Sequence, residues 1–443
     1  MRAHLSNAAY GVLDYIAWPV GLIAVAPIAL RHLGSGQFGI WMFANAALTI
    51  GSIVASGFGD ANIRCVAQAR GMGDKTSIAF AVRGTMGIHL ALGAAIAFIG
   101  WMLAPLAASR LASADPTLHV ACLWSLRIAS ILMLLRAIET VCVSTQRAFE
   151  RYGSAIAASV TTRLMTLAAA AILAQMQIGV VGILVAAAIC LTLGLALQLI
   201  QLSRLLGPGS LRPSFDRNTM QGLVGFGIFT WIQAVSGVVF AQADRLITGI
   251  YLGAAAVASY ALCAQLVQPM YGIAASGLHF LFPYVSARAT PDSLLRVRRA
   301  IVLASLANLG IVACGTLLLL ACGIRVLKLW VGPSVAQTGS AVLPFLVWST
   351  TAQGLSIAGS YTLLALGRVR LVTVLNLAGG IAMLLAAPLL LSRFGIRGMA
   401  MARLLYGPCT LLVYIPLATM LLRNASTPAR TIDAGAICEE IAR

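Results

Sequence analysis

Ile178-Gly179-Val180-Val181-Gly182 opens an apolar run over residues 178–201, IGVVGILVAAAICLTLGLALQLIQ, that holds no charged side chain. About 20 such residues in a helix span a hydrocarbon core of about 30 Å. The opening pattern returns 216 residues later as Phe394-Gly395-Ile396-Arg397-Gly398, again at the head of an apolar run. Working outward, a second correspondence appears at nearly the same offset, 219. Leu33-Gly34-Ser35-Gly36-Gln37-Phe38-Gly39-Ile40-Trp41 aligns with Leu252-Gly253-Ala254-Ala255-Ala256-Val257-Ala258-Ser259-Tyr260. Both stretches join an odd apolar run to an even one and place an aromatic where membrane interfaces favour Trp and Tyr. Two offsets this close, at matching points of a six-run unit, predict a duplicated six-span architecture with parallel halves.

Apolar runs fill the rest of the chain. Spans are expected at 8–30, 38–58, 78–104, 118–144, 154–174, 178–201, 222–243, 255–282, 300–322, 339–364, 371–391 and 396–422. The fold class is therefore all-α integral membrane, with about twelve transmembrane helices in two six-helix lobes. The expected divisions are an N-terminal lobe 1–202, a short linker 203–221, a C-terminal lobe 222–422 and a tail 423–443. Of the 443 residues, 60% are hydrophobic and 9% charged, against roughly 25% charged in soluble domains. No polar stretch is long enough for an extramembrane domain. The first span carries Asp14 and is too long for a signal peptide's apolar region, so it is expected to stay uncleaved.

A net charge of +18 raises nucleic acid as a partner, but no basic-aromatic platform accompanies it. The cations instead follow the loops. Nineteen Lys and Arg residues fall on one side of the predicted topology and seven on the other, which places both termini in the cytoplasm. The nine cysteines are scattered without a CxxC pair, and the five histidines do not cluster with them. That spacing predicts neither a disulfide framework nor a metal site, and no cofactor is expected.

The motifs also carry a resemblance. The LG-x3-FG-x-W segment is followed by Ser56-Gly57-Phe58-Gly59-Asp60-Ala61-Asn62-Ile63-Arg64 and Ala69-Arg70-Gly71-Met72-Gly73-Asp74. The second half has Gly225-Phe226-Gly227, Asp244-Arg245-Leu246-Ile247, Leu252-Gly253 with Tyr260, and Phe282-Pro283 before Ser286. In order and spacing the chain resembles the Wzx-type polysaccharide flippases of the multidrug/oligosaccharidyl-lipid/polysaccharide exporter superfamily over essentially its full length. The resemblance implies two lobes in a V around a central cavity. It implies transfer of an undecaprenyl-diphosphate-linked oligosaccharide from the cytoplasmic to the periplasmic leaflet of a bacterial inner membrane, with no catalytic residue. The implied partners are that lipid-linked substrate, membrane lipids, and polysaccharide polymerase and chain-length machinery.

Ionisable groups inside spans are costly and mark transport pathways. Here they are Asp14 (span 1), Arg127, Arg136 and Glu139 (span 4), Arg163 (span 5) and Arg403 (span 12). The excess is cationic, which suits a diphosphate because guanidinium forks bind phosphate bidentately. Arg163, Arg136 and Arg127 are the candidate substrate contacts. Each has a structural alternative: Arg163 pairing with Glu139, Arg136 neutralising Glu139 three residues on, and Arg127 snorkelling. Arg403 is expected to snorkel. Asp14 is the candidate ion-coupling site, or else a carboxyl kept protonated by burial; Gln233 stands at its matching position. Asp60 with Arg64, and Asp244 with Arg245, lie at span ends and read as structural or gating ion pairs. Pro19 and Pro27 allow span 1 to bend. A cation-coupled multidrug exporter of the same superfamily is the transporter alternative, though it calls for buried carboxylates. A polytopic polysaccharide polymerase or ligase is the enzyme alternative, though it calls for a large periplasmic loop.

Overall fold

The structure, a computed structural model, describes residues 2–113, 115–207, 209–215, 217–279, 281–286 and 294–423. The expected tail beyond residue 423 lies outside the described residues. Those residues form helices joined by short turns. In order they are α1 (Arg2–Ser56), α2 (Gly59–Gly71), α3 (Lys75–Leu111), α4 (Pro116–Ala148), α5 (Tyr152–Gln175), α6 (Gly179–Leu206) and α7 (Arg217–Leu252). There follow α8 (Ala254–Leu278), α9 (Leu281–Ser286), α10 (Leu294–Val331), α11 (Pro333–Ala365), α12 (Val369–Phe394), α13 (Ile396–Leu411) and α14 (Tyr414–Arg423). The first helix contains two expected spans, broken at Gly34 (φ 73°, ψ 170°). With α13 and α14 sharing the last span, the twelve expected runs are all present.

Several helices outlast their apolar cores. α3 has 37 residues and α10 has 38, against the ~20 that hydrocarbon needs. The starts of α3 and α4 are set by caps that hydropathy does not register. Asp74 accepts hydrogen bonds from the Thr76 and Ser77 amides ahead of α3. Asp115 does the same for Thr117 and Leu118 ahead of α4, with Pro116 in the first turn.

The duplication is visible in the backbone. Gly34 and Gly253 both take positive φ (73° and 81°), as do Gly179 and Gly395 (84° and 57°). Each breaks the chain between two membrane-length helices at a place where an L side chain is strained. A third correspondence, at an offset of 217, shares only the arginine that follows the turn, Arg151 and Arg368. After α4, Glu150 N donates to Arg147 O and Arg151 N to Gln146 O. After α11, Gly367 N donates to Leu364 O and Arg368 N to Leu363 O. These are the same paired bonds that close a Schellman turn, with Glu150 at φ 60° and Gly367 at φ 76°.

The chain divides into two compact units. The first comprises Met1–Leu266, Gly323–Leu343 and Leu384–Met401; the second comprises Val267–Cys322, Pro344–Met383 and Ala402–Arg443. In the first unit Phe38, Ile40, Leu132, Ile183 and Leu262 are fully enclosed. Helices in lipid gain little from hydrophobic transfer and associate where small residues permit close packing. Gly93 meets Leu134 and Ala137, and Gly100 meets Ser130, which forms such a seam between α3 and α4. The opposite flank of α3 presents Phe98, Met102, Leu103 and Leu106 outward. In the second unit the core gathers Leu281, Val312, Ala358, Leu363 and Val413, and Asn308 Nδ2 donates to the Gly354 carbonyl at 2.9 Å.

Candidate functional site

The helix α4 brings the first group of charges together. Arg136 and Glu139, three residues apart, form an ion pair at 21% and 6% side-chain exposure. Ser159 of α5 donates to Glu139 Oε1 at 3.2 Å, and Gln198 Nε2 of α6 stands 3.5 Å from the same oxygen. The carboxylate is thus held by three helices. Arg163, half-buried on α5, lies one turn beyond Ser159 and so shares its face.

Arg127 stands apart from this group. Its guanidinium carbon lies 4.9 Å from the Trp101 ring centre and 5.3 Å from that of Trp124. Arg403 is half-buried on α13, and its carbonyl accepts from Ser349 Oγ at 2.8 Å. The side chain of Asp14 lies outside the described residues, while Gln233 is half-buried on α7.

At the span ends, Asp60 and Arg64 are exposed and one turn apart on α2. Asp244 is fully buried. Its carboxylate accepts from Tyr260 Oη at 3.0 Å and from the Arg245 backbone amide at 2.8 Å, while the Arg245 guanidinium donates to Gln242 Oε1 at 2.6 Å.

Three features lie beyond the sequence reading. Asn62 is fully buried and donates to Ser144 and Thr145 at 2.8 and 2.9 Å, while Thr85 donates back to its oxygen at 3.2 Å. This ties α2, α3 and α4 through hydroxyls that look unremarkable in a list of spans. Trp330 and Trp231 each reach a distant backbone carbonyl, of Ile23 and Val54 respectively. Finally, an open cavity of about 810 Å³ lies at the Gly34 break. Arg31, His32, Gln175, Trp330, Ser334 and Thr338 are among its walls. The signal for it was the broken LG turn beside a basic Arg-His pair. Its other walls come from distant stretches of sequence.

The sequence profile of the polysaccharide biosynthesis protein family matches residues 30–323. The chain belongs to that family. No curated protein sequence matches it. Among solved structures, this member resembles an inward-facing multidrug resistance MATE family transporter of the MOP superfamily at TM-score 0.75. The identity is 14%, over 94% of this chain and 99% of that one. It also resembles the lipid II flippase MurJ in an inward closed conformation at TM-score 0.76, with 9% identity over 94% and 90% of the two chains. A third likeness is a mutant of the Vibrio cholerae MATE transporter VcmN, at TM-score 0.56 and 17% identity over 95% and 98%. The family member is therefore a multi-pass membrane protein with the fold of MOP-superfamily transporters.

Proposed function

We propose that this protein flips an undecaprenyl-diphosphate-linked oligosaccharide repeat unit from the cytoplasmic to the periplasmic leaflet of a bacterial inner membrane. The product serves assembly of a surface polysaccharide: O-antigen, capsule or exopolysaccharide. Transport is by alternating access of the two sequence halves through a cationic cavity, without chemical change to the cargo, and both termini are cytoplasmic. A polysaccharide polymerase and its chain-length machinery receive the product.

The observation that carries this reading is the cation excess inside the spans of a polysaccharide biosynthesis family member. Arg127 aside, three arginines, Arg136, Arg163 and Arg403, stand against two carboxylates, Asp14 and Glu139. A sugar diphosphate cannot cross hydrocarbon without compensating partners, and guanidinium supplies them. Arg163, near the centre of its span, is the residue we place at the diphosphate. Asp14 is the proposed proton or sodium coupling site. Asp60 with Arg64, and Asp244 with Arg245, are the proposed gating contacts. Outward movement of an anion also runs with a cell-negative potential, worth about 2.3 kcal/mol per charge per 100 mV.

The test is transport in proteoliposomes, with fluorescent undecaprenyl-diphosphate oligosaccharide against a cationic dye, for wild type and Arg163→Ala. Accelerated glycolipid movement that is lost in the variant is the expected result. Dye transport without glycolipid movement makes the protein a cation-coupled multidrug exporter instead. Flipping that survives Arg163→Ala removes Arg163 from the site. Flipping that ignores collapse of the membrane potential removes the electrical driving force.

A further inference from the structure

Arg127 sits in surroundings that are neither a carboxylate nor a polar seam. On α4 it shares a helical stripe with Val120, Trp124 and Ile131, which are 54%, 46% and 45% exposed. The adjoining surface of α3 presents Phe98 and Met102, 65% and 54% exposed. Such a surface is apolar throughout and belongs against acyl chains, not against a wet cavity. Arg127 lies about 16 Å along α4 from its Pro116 end at 1.5 Å per residue. Apolar exposure on α3 continues beyond Trp101 to Leu106. The guanidinium therefore sits inside the leaflet nearest the α3–α4 turn.

The two indoles fix it there. The guanidinium carbon lies over the rings of Trp101 on α3 and Trp124 on α4, 4.9 and 5.3 Å from their centres, within cation–π range of both. Its edge is a different matter. A guanidinium carries five N–H donors in one plane, and Arg127 Nε is buried without a hydrogen-bond partner among the described residues. A purely structural arginine on this helix looks different: nine residues on, Arg136 is taken up by Glu139. With Nε enclosed, the terminal nitrogens of this half-buried guanidinium on a lipid-facing stripe are the donors left to take a bidentate acceptor. Lipid phosphate is an anionic acceptor that a bilayer offers, and phosphatidylglycerol presents it without the ammonium group that offsets it in phosphatidylcholine.

We propose that Arg127, clasped by Trp101 and Trp124, binds the phosphate of an anionic membrane phospholipid on the lipid-facing flank of the first unit. The site lies on the outer surface of the α3–α4 seam, and one guanidinium matches one phosphate monoanion. Trp101 and Trp124 are positioning residues that hold the fork flat. Binding there is independent of any cargo the protein transports.

The test uses the full chain in phosphatidylcholine nanodiscs doped with brominated-chain phosphatidylglycerol or, in parallel, brominated-chain phosphatidylcholine. Bromine quenches indole fluorescence on contact, and Trp124 is an exposed reporter. Phosphatidylglycerol is expected to quench at several-fold lower mole fraction than phosphatidylcholine in the wild type. The two lipids are expected to quench alike in Arg127→Gln. Arg127→Lys keeps the charge but loses the fork, and is expected to shift the phosphatidylglycerol midpoint severalfold upward. It also provides a reading should the glutamine variant fail to assemble. Equal quenching by both lipids in the wild type, or a preference that survives both substitutions, overturns the proposal. Displacement by millimolar inorganic phosphate, or by undecaprenyl diphosphate at equal mole fraction to phosphatidylglycerol, assigns the site to a soluble anion or to the carrier lipid. Either result overturns the phospholipid assignment.

Discussion

The indole N–H of Trp330 donates to the carbonyl of Ile23 at 2.9 Å, and Ile23 is the residue four positions before Pro27. In an uninterrupted helix that carbonyl accepts from the amide of residue 27; proline has no amide hydrogen, so the acceptor is orphaned. Trp330 supplies that bond from near the end of α10 and so steadies α1 at its second proline. A comparable contact lies near the end of α1, where Trp231 Nε1 donates to Val54 O at 3.0 Å while its ring stacks on Phe58.

Trp330→Phe is therefore expected to cost about 1–3 kcal/mol, the penalty for an unsatisfied buried acceptor. In a Pro27→Ala background the new amide takes the Ile23 carbonyl, and the same substitution is expected to cost about 1 kcal/mol less. Thermal unfolding of the four proteins in detergent measures the coupling. A coupling of zero means the indole is held by packing alone.

Glycines in this chain differ sharply in what a methyl group would meet. A Cβ on Gly39 falls 1.8 Å from the Ala254 carbonyl oxygen, a backbone atom of α8. At Gly237, on α7, nothing lies within 4 Å. Gly39→Ala is expected to destabilise by about 3 kcal/mol or more, since backbone must move. Gly237→Ala is expected to be neutral or to stabilise by up to about 1 kcal/mol through helix propensity. Parallel melting curves decide it. Equal melting temperatures for the two variants mean that α1 and α8 do not pack this tightly.

Much of this was legible because membrane helices announce themselves through continuous apolarity. The turns at Gly34, Gly179, Gly253 and Gly395 announce themselves through the residue that tolerates positive φ. The Arg136–Glu139 pair was legible for the same local reason, three residues on one helix. Other features had no local signature. The separate helix α2 and the division of the last span into α13 and α14 depend on how ends cap, where hydropathy is uniform. Trp330 and Ile23 are joined only by the fold, as are Arg127 and Trp101.

The Arg136–Glu139 pair separates structural from transport roles. Glu139→Gln leaves the half-buried guanidinium of Arg136 without its counter-charge and is expected to destabilise by about 3 kcal/mol. The double variant Arg136→Met with Glu139→Gln removes both charges and is expected to recover most of that loss. Melting temperature and glycolipid flipping are read on the same preparations. A stable double variant that flips at the wild-type rate confines the pair to structure. A stable double variant that does not flip places Arg136 on the cargo.

The cap aspartates make stability depend on acid. Hydrogen bonds from Ser77 and Thr76, chiefly those of their hydroxyls, hold the Asp74 carboxyl below its ordinary value of 3.8. The Thr117 hydroxyl, then the Leu118 and Thr117 amides, do the same for Asp115. A carboxyl whose folded pKa is depressed adds stability that is complete above the unfolded value and disappears as pH falls through the folded one. The negative charge also suits a helix N-terminus, and protonation removes that too. Asp74→Asn with Asp115→Asn keeps capping oxygens that do not titrate in this range. Wild type is expected to melt above this variant at neutral pH. The gap is expected to hold steady down to about pH 4–5 and then narrow toward pH 2 as the wild-type caps protonate. A gap that stays constant across the whole range means the caps act through geometry alone and their charge contributes nothing.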